Sequence, residues 1–461
     1  MAKQRQPQTP PQHIAPAQAQ RPVLSSVPQF VQLELEVERE YRAQMLAALE
    51  EKVNQVIERS REYVPTCLRC ARLMGYHDSR RVSWIARFGR VVARVPRYRC
   101  SGCKTNRRPV LEQLGVEPGR ISGSLARLLA LLAVVAPYQL AAELAWLLLG
   151  VKISPMGIWR VTQRMGQAAA RYSEELREYH SDSRSDPSIA QTAPGVVVLG
   201  VDGCVLGMQV RKNRRRLRSE EARGALPAVE TGHFREVKTG VLLLPSERVE
   251  TSPGRRSLVR RFLVSCLGDA DTVFNDLWAR LRELGWLGRH TVVVVIGDGA
   301  EWIWKRATMF PRRCEILDFW HAVEHAWEFA RLCYPDGSKQ AQRWVHRIAQ
   351  DLRAGKVQSV ISRLKRMRPG SPEARDSLKT LIHYYSENAV RMRYDEYLRL
   401  GYGIGSGAVE SAHKQVVHAR FRQAGMRWSE VGARRLLALR LLLLNREWEL
   451  LDQLRMVSLV A

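Results

Sequence analysis

The sequence lacks any apolar run long enough to cross a bilayer. Its most apolar stretch, residues 125–150, has an uncharged core of only 128–142, interrupted by Pro137 and Gln139, and a hydrocarbon core needs ~20 residues. A buried helical pair is the better reading, with no membrane contact. The N-terminus has no apolar h-region either. Residues 1–28 are rich in Pro and Gln and read as disordered, without a signal peptide. Acids are in short supply, 46 against 73 lysines and arginines, for a formal charge of +27. Such a surplus repels itself, so an anionic partner is its natural reason, nucleic acid first. A basic protein that merely stays soluble is the plain alternative. Cysteines number only eight. Four of them form two close pairs, and in a soluble intracellular protein such clustering points to metal and not to disulfides.

At 461 residues the chain is too long for one core and suggests two to four domains. Residues 29–62 read as a charged helix, in which Leu46, Leu49, Val53 and Val56 have heptad spacing. That stripe could pair with a second copy or pack on the module that follows. Residues 120–175 read as three helices, 125–135, 138–149 and 155–170. The turn 150–154 has Ser154 at an N-cap position and Pro155 at the first helical one. A short helix, a brief turn and a helix carrying Trp159, Arg160 and Arg164 outline a helix-turn-helix, with an ordinary helical hairpin as the alternative. The polar segment 176–194 reads as a linker. Beyond it the pattern turns α/β. Strand-like runs at 196–201, 236–244, 260–267, 291–296 and 314–317 surround helical periodicity at 271–284 and 301–309. This predicts a mixed sheet with helices packed on it. Residues 211–232, dense in both charges, read as a long exposed loop, and 320–400 as an all-helical block.

Cys67-Leu68-Arg69-Cys70 and Cys100-Ser101-Gly102-Cys103 are two CxxC knuckles, each able to present two thiolates from one tight turn. Together they make a closed Cys₄ set for a structural Zn²⁺. Strand-like runs at 82–87 and 91–98, joined at Phe88-Gly89, predict a hairpin that returns the second knuckle to the first, as a zinc ribbon over 63–110 requires. A thioredoxin-like redox pair is the alternative, but it needs only one CxxC and a βαβ context. Arg69, Arg97, Arg99, Lys104, Arg107 and Arg108 surround the knuckles and suit phosphate contact.

Two aspartates follow strand-like runs: Asp202 in Gly200-Val201-Asp202-Gly203 and Asp298 in Ile296-Gly297-Asp298-Gly299. Ligands of open α/β sheets gather at the carboxyl ends of strands. If the two strands are neighbours, the acids converge, and a hard Mg²⁺ would relieve their repulsion. Asp-Gly as ordinary turn chemistry is the alternative. Glu410 stands early in a helix after a glycine-rich stretch, where the helix dipole alone would favour it.

The segments Gly297-Asp298-Gly299-Ala300-Glu301-Trp302-Ile303-Trp304, Leu317-Asp318-Phe319-Trp320-His321, Gly405-Ser406-Gly407-Ala408-Val409-Glu410-Ser411 and Gly425-Met426-Arg427-Trp428-Ser429 stand in an order that resembles the DDE transposases of bacterial insertion sequences, most closely the ISKra group. The resemblance implies a multidomain α/β protein with a ribonuclease-H-like catalytic domain over 195–319 and 401–452, and an all-helical insertion at 320–400. It implies Asp202, Asp298 and Glu410 as catalytic residues holding two Mg²⁺ ions, with Asp318 and His321 supporting them. It also implies double-stranded DNA as partner (element ends and target), self-association on DNA, and a cytoplasmic, nucleoid-associated place in a bacterium. Arg427 and Trp428 could meet DNA, Trp428 by stacking on an exposed base; a buried Trp anchoring the last helices is the alternative. Two other functions compete: a zinc-ribbon and helix-turn-helix regulator without catalysis, and a nuclease of the same fold that never joins strands.

Overall fold

The structure, a computed structural model, describes residues 29–116, 120–181, 193–209, 233–252, 255–258, 260–335 and 337–458. Residues 1–28, the charged loop 211–232 and residues 182–192 of the expected linker lie outside these. Two compact units divide the chain: Met1–Trp84 with Phe88–Val110, and Ile85–Arg87 with Leu111–Ala461.

The first unit holds helix α1 (Gln29–Ser60) and a small sheet of strands β1 (Gly75–Ala86), β2 (Gly89–Arg99) and β3 (Asn106–Arg107) in the order β1-β2-β3. The tight turn between β1 and β2 falls at residues 87–88. Val53 and Ile57 of α1 are buried, and Glu50 accepts the Val92 amide at 3.2 Å. The second half of α1 therefore packs on its own module, and Val53, one of the four heptad positions, is used there.

The second unit begins with three helices, α2 (Gly123–Val135), α3 (Tyr138–Leu149) and α4 (Pro155–Ser181). Ser122 caps α2 by accepting the Leu125 amide, and Gly150 ends α3 in the left-handed conformation, φ 63°. The Ser154 hydroxyl accepts the Gly157 amide at 3.1 Å at the start of α4. Helix α4 outruns the periodicity that predicted it, because its later turns pack on the α/β layer. At Gly166 the Arg435 carbonyl oxygen lies 2.4 Å from where a Cβ would stand.

A five-stranded sheet follows, with strands β4 (Val196–Gly207), β5 (Phe234–Leu243), β8 (Arg261–Leu267), β9 (Val292–Gly297) and β10 (Arg313–Leu317) in the order β10-β9-β4-β5-β8. Strands β4, β9 and β10 are parallel, while β5 runs antiparallel to both β4 and β8. A hairpin of β6 (Arg248–Ser252) and β7 (Arg255–Leu258) precedes β8. Valines fill β9, and five of its six residues are buried, which suits a strand covered on both faces. Helix α5 (Ala270–Glu283) covers one face: the Leu277 side chain is 2.7 Å from a Cβ built at Gly240. Helix α12 (Gly407–His413) covers the other: Val409 is 3.4 Å from a Cβ built at Gly200. Since Gly240 pairs with Val201, alternation puts Gly200 and Gly240 on opposite faces.

Short helix α6 (Glu301–Ala307) joins β9 to β10. A helical block then runs through α7 (Phe319–Cys333), α8 (Lys339–Arg353), α9 (Val357–Arg366), α10 (Pro372–Asn388) and α11 (Tyr394–Arg399), with no strand among the described residues of 320–400. After α12 come a π-helical turn (Lys414–His418), α13 (Ala419–Phe421), α14 (Glu430–Leu444) and α15 (Leu450–Ser458). The protein is thus a mixed α/β structure with many helices. Among the described residues no helix is long and apolar enough to cross a membrane.

Candidate functional site

The two cysteine knuckles have the same backbone. The Cys67 amide donates to the Arg72 carbonyl and the Ala71 amide to Cys67; likewise the Cys100 amide donates to Thr105 and the Lys104 amide to Cys100, all at 2.8–3.0 Å. Ala71 and Lys104, each four residues past a cysteine, share a left-handed φ of 56° and 57°. These matching turns bring the sulfurs of Cys67, Cys70, Cys100 and Cys103 within 4.8 Å of one another, with 3.6 Å between Cys70 and Cys100. Tetrahedral Zn–S bonds of ~2.3 Å need sulfurs roughly 3.8 Å apart, so the four thiols could hold Zn²⁺. Without a cation their charges conflict. The Thr105 hydroxyl and backbone amides lower the Cys67 thiol to about 6, while Cys70, first through its hydrogen bond, pushes Cys103 up to about 12. Of the surrounding cations, Arg97 is tied to Asp78 through two hydrogen bonds and Arg107 to the Thr66 carbonyl. Arg69, Arg99 and Lys104 stay exposed.

The second cluster lies at one end of the large sheet. Gly200 pairs with Ile296 and Gly297 with Leu317. Continuing those registers sets Asp202, Asp298 and Asp318 side by side where the three parallel strands leave off. Asp202 does not end its strand, as its sequence context suggested. Strand β4 runs on to Gly207 because β5 stays paired with it, and Asp202 marks the point where β9 departs. Burial raises the Asp202 carboxyl to about 6, and the charge of Asp298 beside it adds to the rise. Asp298 accepts the Ala300 amide at 3.0 Å, and Tyr384 of α10 donates its hydroxyl to the Asp298 carbonyl at 2.7 Å.

Asp318 is buried and fully engaged. It caps α7 by accepting the Trp320 amide at 2.8 Å, and it accepts the Ser406 hydroxyl. The Phe319 amide donates to the Ile404 carbonyl at 2.8 Å, and a Cβ on Gly405 would stand 2.9 Å from the Trp320 ring. The Asp-Phe-Trp segment and the Gly-Ser-Gly segment are therefore two halves of one clamp that fixes the start of α12. His321 packs against His325 at 4.8 Å between ring centres.

Glu410 sits on α12 between two contacts with the acid row. Ser406, Glu410 and His413 share one helical stripe; Ser406 reaches Asp318, and His413 Nδ1 lies 3.6 Å from Asp202. The Glu410 carboxylate itself points outward, 66% exposed, and pairs with Lys414 at 2.7 Å. Among the described residues, only the four cysteines gather three or more metal-ligating atoms within 4.8 Å. The acids converge on one sheet end without closing into a single ligand cage. His413, which burial lowers to about 4, is neutral at pH 7. Sequence reasoning missed it and Tyr384; the i+3 spacing from Glu410 was the one signal for His413.

Of the residues expected to meet DNA, Trp159 and Arg160 on α4 are exposed and Arg164 is half-buried. Trp428 is buried, donates its indole N–H to the Phe421 carbonyl at 3.0 Å and bridges to Met208. In this conformation it anchors the last helices and offers no face to a base. Arg427 lies over the Phe234 ring at 6.0 Å.

No protein-family model matches the chain, and no curated protein sequence does. Among solved structures, the Drosophila P element transposase strand transfer complex is similar over 74% of this chain and 83% of that one, with 11% identity and a TM-score of 0.24.

Proposed function

We propose that the chain is a DDE-type DNA transposase that grips the ends of its mobile element and carries out divalent-metal-dependent phosphodiester cleavage and strand transfer. The observation that carries the reading is the meeting of Asp202, Asp298 and the Glu410-bearing helix at one end of a mixed sheet, from positions far apart in sequence. A sheet in which β4, β8, β9 and β10 run one way and β5 alone runs against them, with a helix on each face, suits the ribonuclease-H-like fold that the motif order implied. Net charge of +27 suits a DNA partner, and the exposed start of α4 suits a groove-reading helix.

The residues fit Mg²⁺. The donors are all carboxylate oxygens, the kind a hard cation takes, and Asp202, raised to about 6 by burial first and by the Asp298 charge second, carries a penalty that a cation would offset. Asp202 and Asp298 would hold it. Glu410 would join by turning from Lys414. An exposed pair of that spacing contributes only ~0.3–0.5 kcal/mol, so it offers little resistance. Bound Mg²⁺ would supply Lewis-acid stabilisation of the in-line displacement. The protein's own part is to hold the acid row on rigid strands, to keep His413 neutral behind Asp202, and to present Glu410 from a clamped helix. The cysteine ribbon, closed by four protein ligands, would serve the fold and phosphate contact.

Incubating the protein with a duplex carrying the terminal repeat that flanks its gene tests the reading. The expected result is Mg²⁺-dependent cleavage and joining to a target duplex, abolished by Asp298→Ala with end binding intact. Cleavage by the Asp298→Ala protein contradicts the triad. Binding without any cleavage by the wild type would favour a regulator, and cleavage without joined products a nuclease.

A further inference from the structure

Two arginines in the core of the second unit have no acidic partner among the described residues, and both bind the same helix end. Arg420 is fully buried and Arg440 is 6% exposed. Arg420 Nε donates to the Ala133 carbonyl at 2.8 Å, and Arg440 Nη1 donates to the Val134 carbonyl at 2.6 Å. Those carbonyls belong to the last turn of α2, where the helix offers no amide donors of its own. Burial lowers both guanidiniums, Arg440 to about 10, and the charge of Arg420 depresses Arg440 further. Burying two like charges is costly; apolar side chains of similar volume would fill the space more cheaply. Their geometry supplies the reason. Arg440 also donates to the Gln415 and Val416 carbonyls, inside the π-helical turn that follows Glu410 and His413. A π turn displaces the ordinary i→i−4 bonds, and a planar fork of N–H donors can meet those carbonyls and the end of α2 together. Arg420 adds aromatic contacts, 5.3 Å to the Tyr138 ring of α3 and 5.1 Å to Trp428.

We propose that Arg440 and Arg420 are positioning residues that fasten the α2–α3 helices to the π turn behind Glu410 and His413, so that the helical module that grips the duplex and the helix that presents the third carboxylate move as one body. This rests on the transposase reading for its consequence, since fastening would couple end binding to cleavage. The fastening itself is a property of the fold and can be read without activity. Neither arginine touches the acid row; they act through α12 and its π turn.

The test uses the full chain with Arg440→Lys, which keeps the charge but replaces the fork with a single ammonium, and Arg440→Met, which removes the buried charge and retains volume should the lysine variant fail to fold. Hydrogen exchange should rise roughly tenfold in residues 409–421 and in the last turn of α2, with the sheet unchanged. On end duplex, Kd should stay within about threefold while cleavage at saturating DNA falls about 10²-fold, the loss expected when a reacting group is misplaced by ~1 Å. A merely structural role would weaken binding and cleavage together. Wild-type exchange in 409–421 with wild-type cleavage at saturation in both variants overturns the proposal. If the wild type cleaves no duplex, the transposase reading fails, and the exchange result alone then decides the fastening.

Discussion

Replacing Asp202 with asparagine should make the metal-free protein more stable. Burial and the Asp298 charge raise the Asp202 carboxyl from its usual 3.8 to about 6, so at neutral pH the fold holds a carboxylate where it disfavours one. Each pH unit of displacement is worth about 1.4 kcal/mol, which sets an upper bound of about 3 kcal/mol. The side chain is still 32% exposed, and solvent screening reduces the expected gain to on the order of 1–2 kcal/mol. A raised carboxyl favours the fold while protonated, at pH below the usual 3.8, and that contribution is lost as pH rises through about 6. Asparagine never ionises and escapes the loss. It can still accept the Gly203 amide that Asp202 accepts, so the backbone contact survives. Wild type and Asp202→Asn should therefore unfold nearly together at about pH 4 and separate by a few degrees at about pH 7.5, the variant higher. Thermal unfolding in magnesium-free buffer at the two pH values measures this. A variant that melts below wild type at neutral pH, or a gap of equal size at both, refutes the reasoning.

Glu410→Gln should change stability by less than ~0.5 kcal/mol, because it removes only an exposed i,i+4 pair, while abolishing cleavage; equilibrium unfolding beside a cleavage assay separates the two. Metal analysis should find zinc bound to the wild-type chain and none retained by Cys70→Ser after dialysis, with loss of protection confined to the first unit; full zinc retention would contradict the ribbon. Ser406→Ala should cost ~1 kcal/mol for the hydroxyl lost to Asp318. Gly405→Ala, which drives a methyl against Trp320, should cost 1–3 kcal/mol and slow cleavage more. Denaturation midpoints and initial rates rank the pair, and the reverse order would sink the clamp.

Local signals were legible where a pattern has few solutions. The β-branched run of β9 could hardly be anything but a buried strand, and the CxxC pairs could close only if a hairpin brought them together. The Gly150 stop and the Ser154-Pro155 start gave the end of α3 and the start of α4 to the residue, while the end of α4 was not legible. What stayed hidden depends on partners distant in sequence. Asp202 looked like the end of a strand because the apolar run stops there, yet pairing with β5 carries β4 on to Gly207. The β6–β7 hairpin, short and polar, gave no period to read. Arg420 and Arg440 were only part of the +27 total, since nothing local tells a buried guanidinium from a solvated one until the carbonyls of α2 appear beside it. Glu410 was named from motif order alone; its i,i+4 spacing to Lys414 was there to read as a surface pair, but was passed over.

The most direct measurement is a structure of the protein on an uncleaved end duplex with Ca²⁺ in place of Mg²⁺. The account predicts that Glu410 has left Lys414 and, with Asp202 and Asp298, supplies oxygens at ~2.3–2.6 Å from bound cation. A cation held by the two aspartates alone, with Glu410 still paired to Lys414, would contradict it.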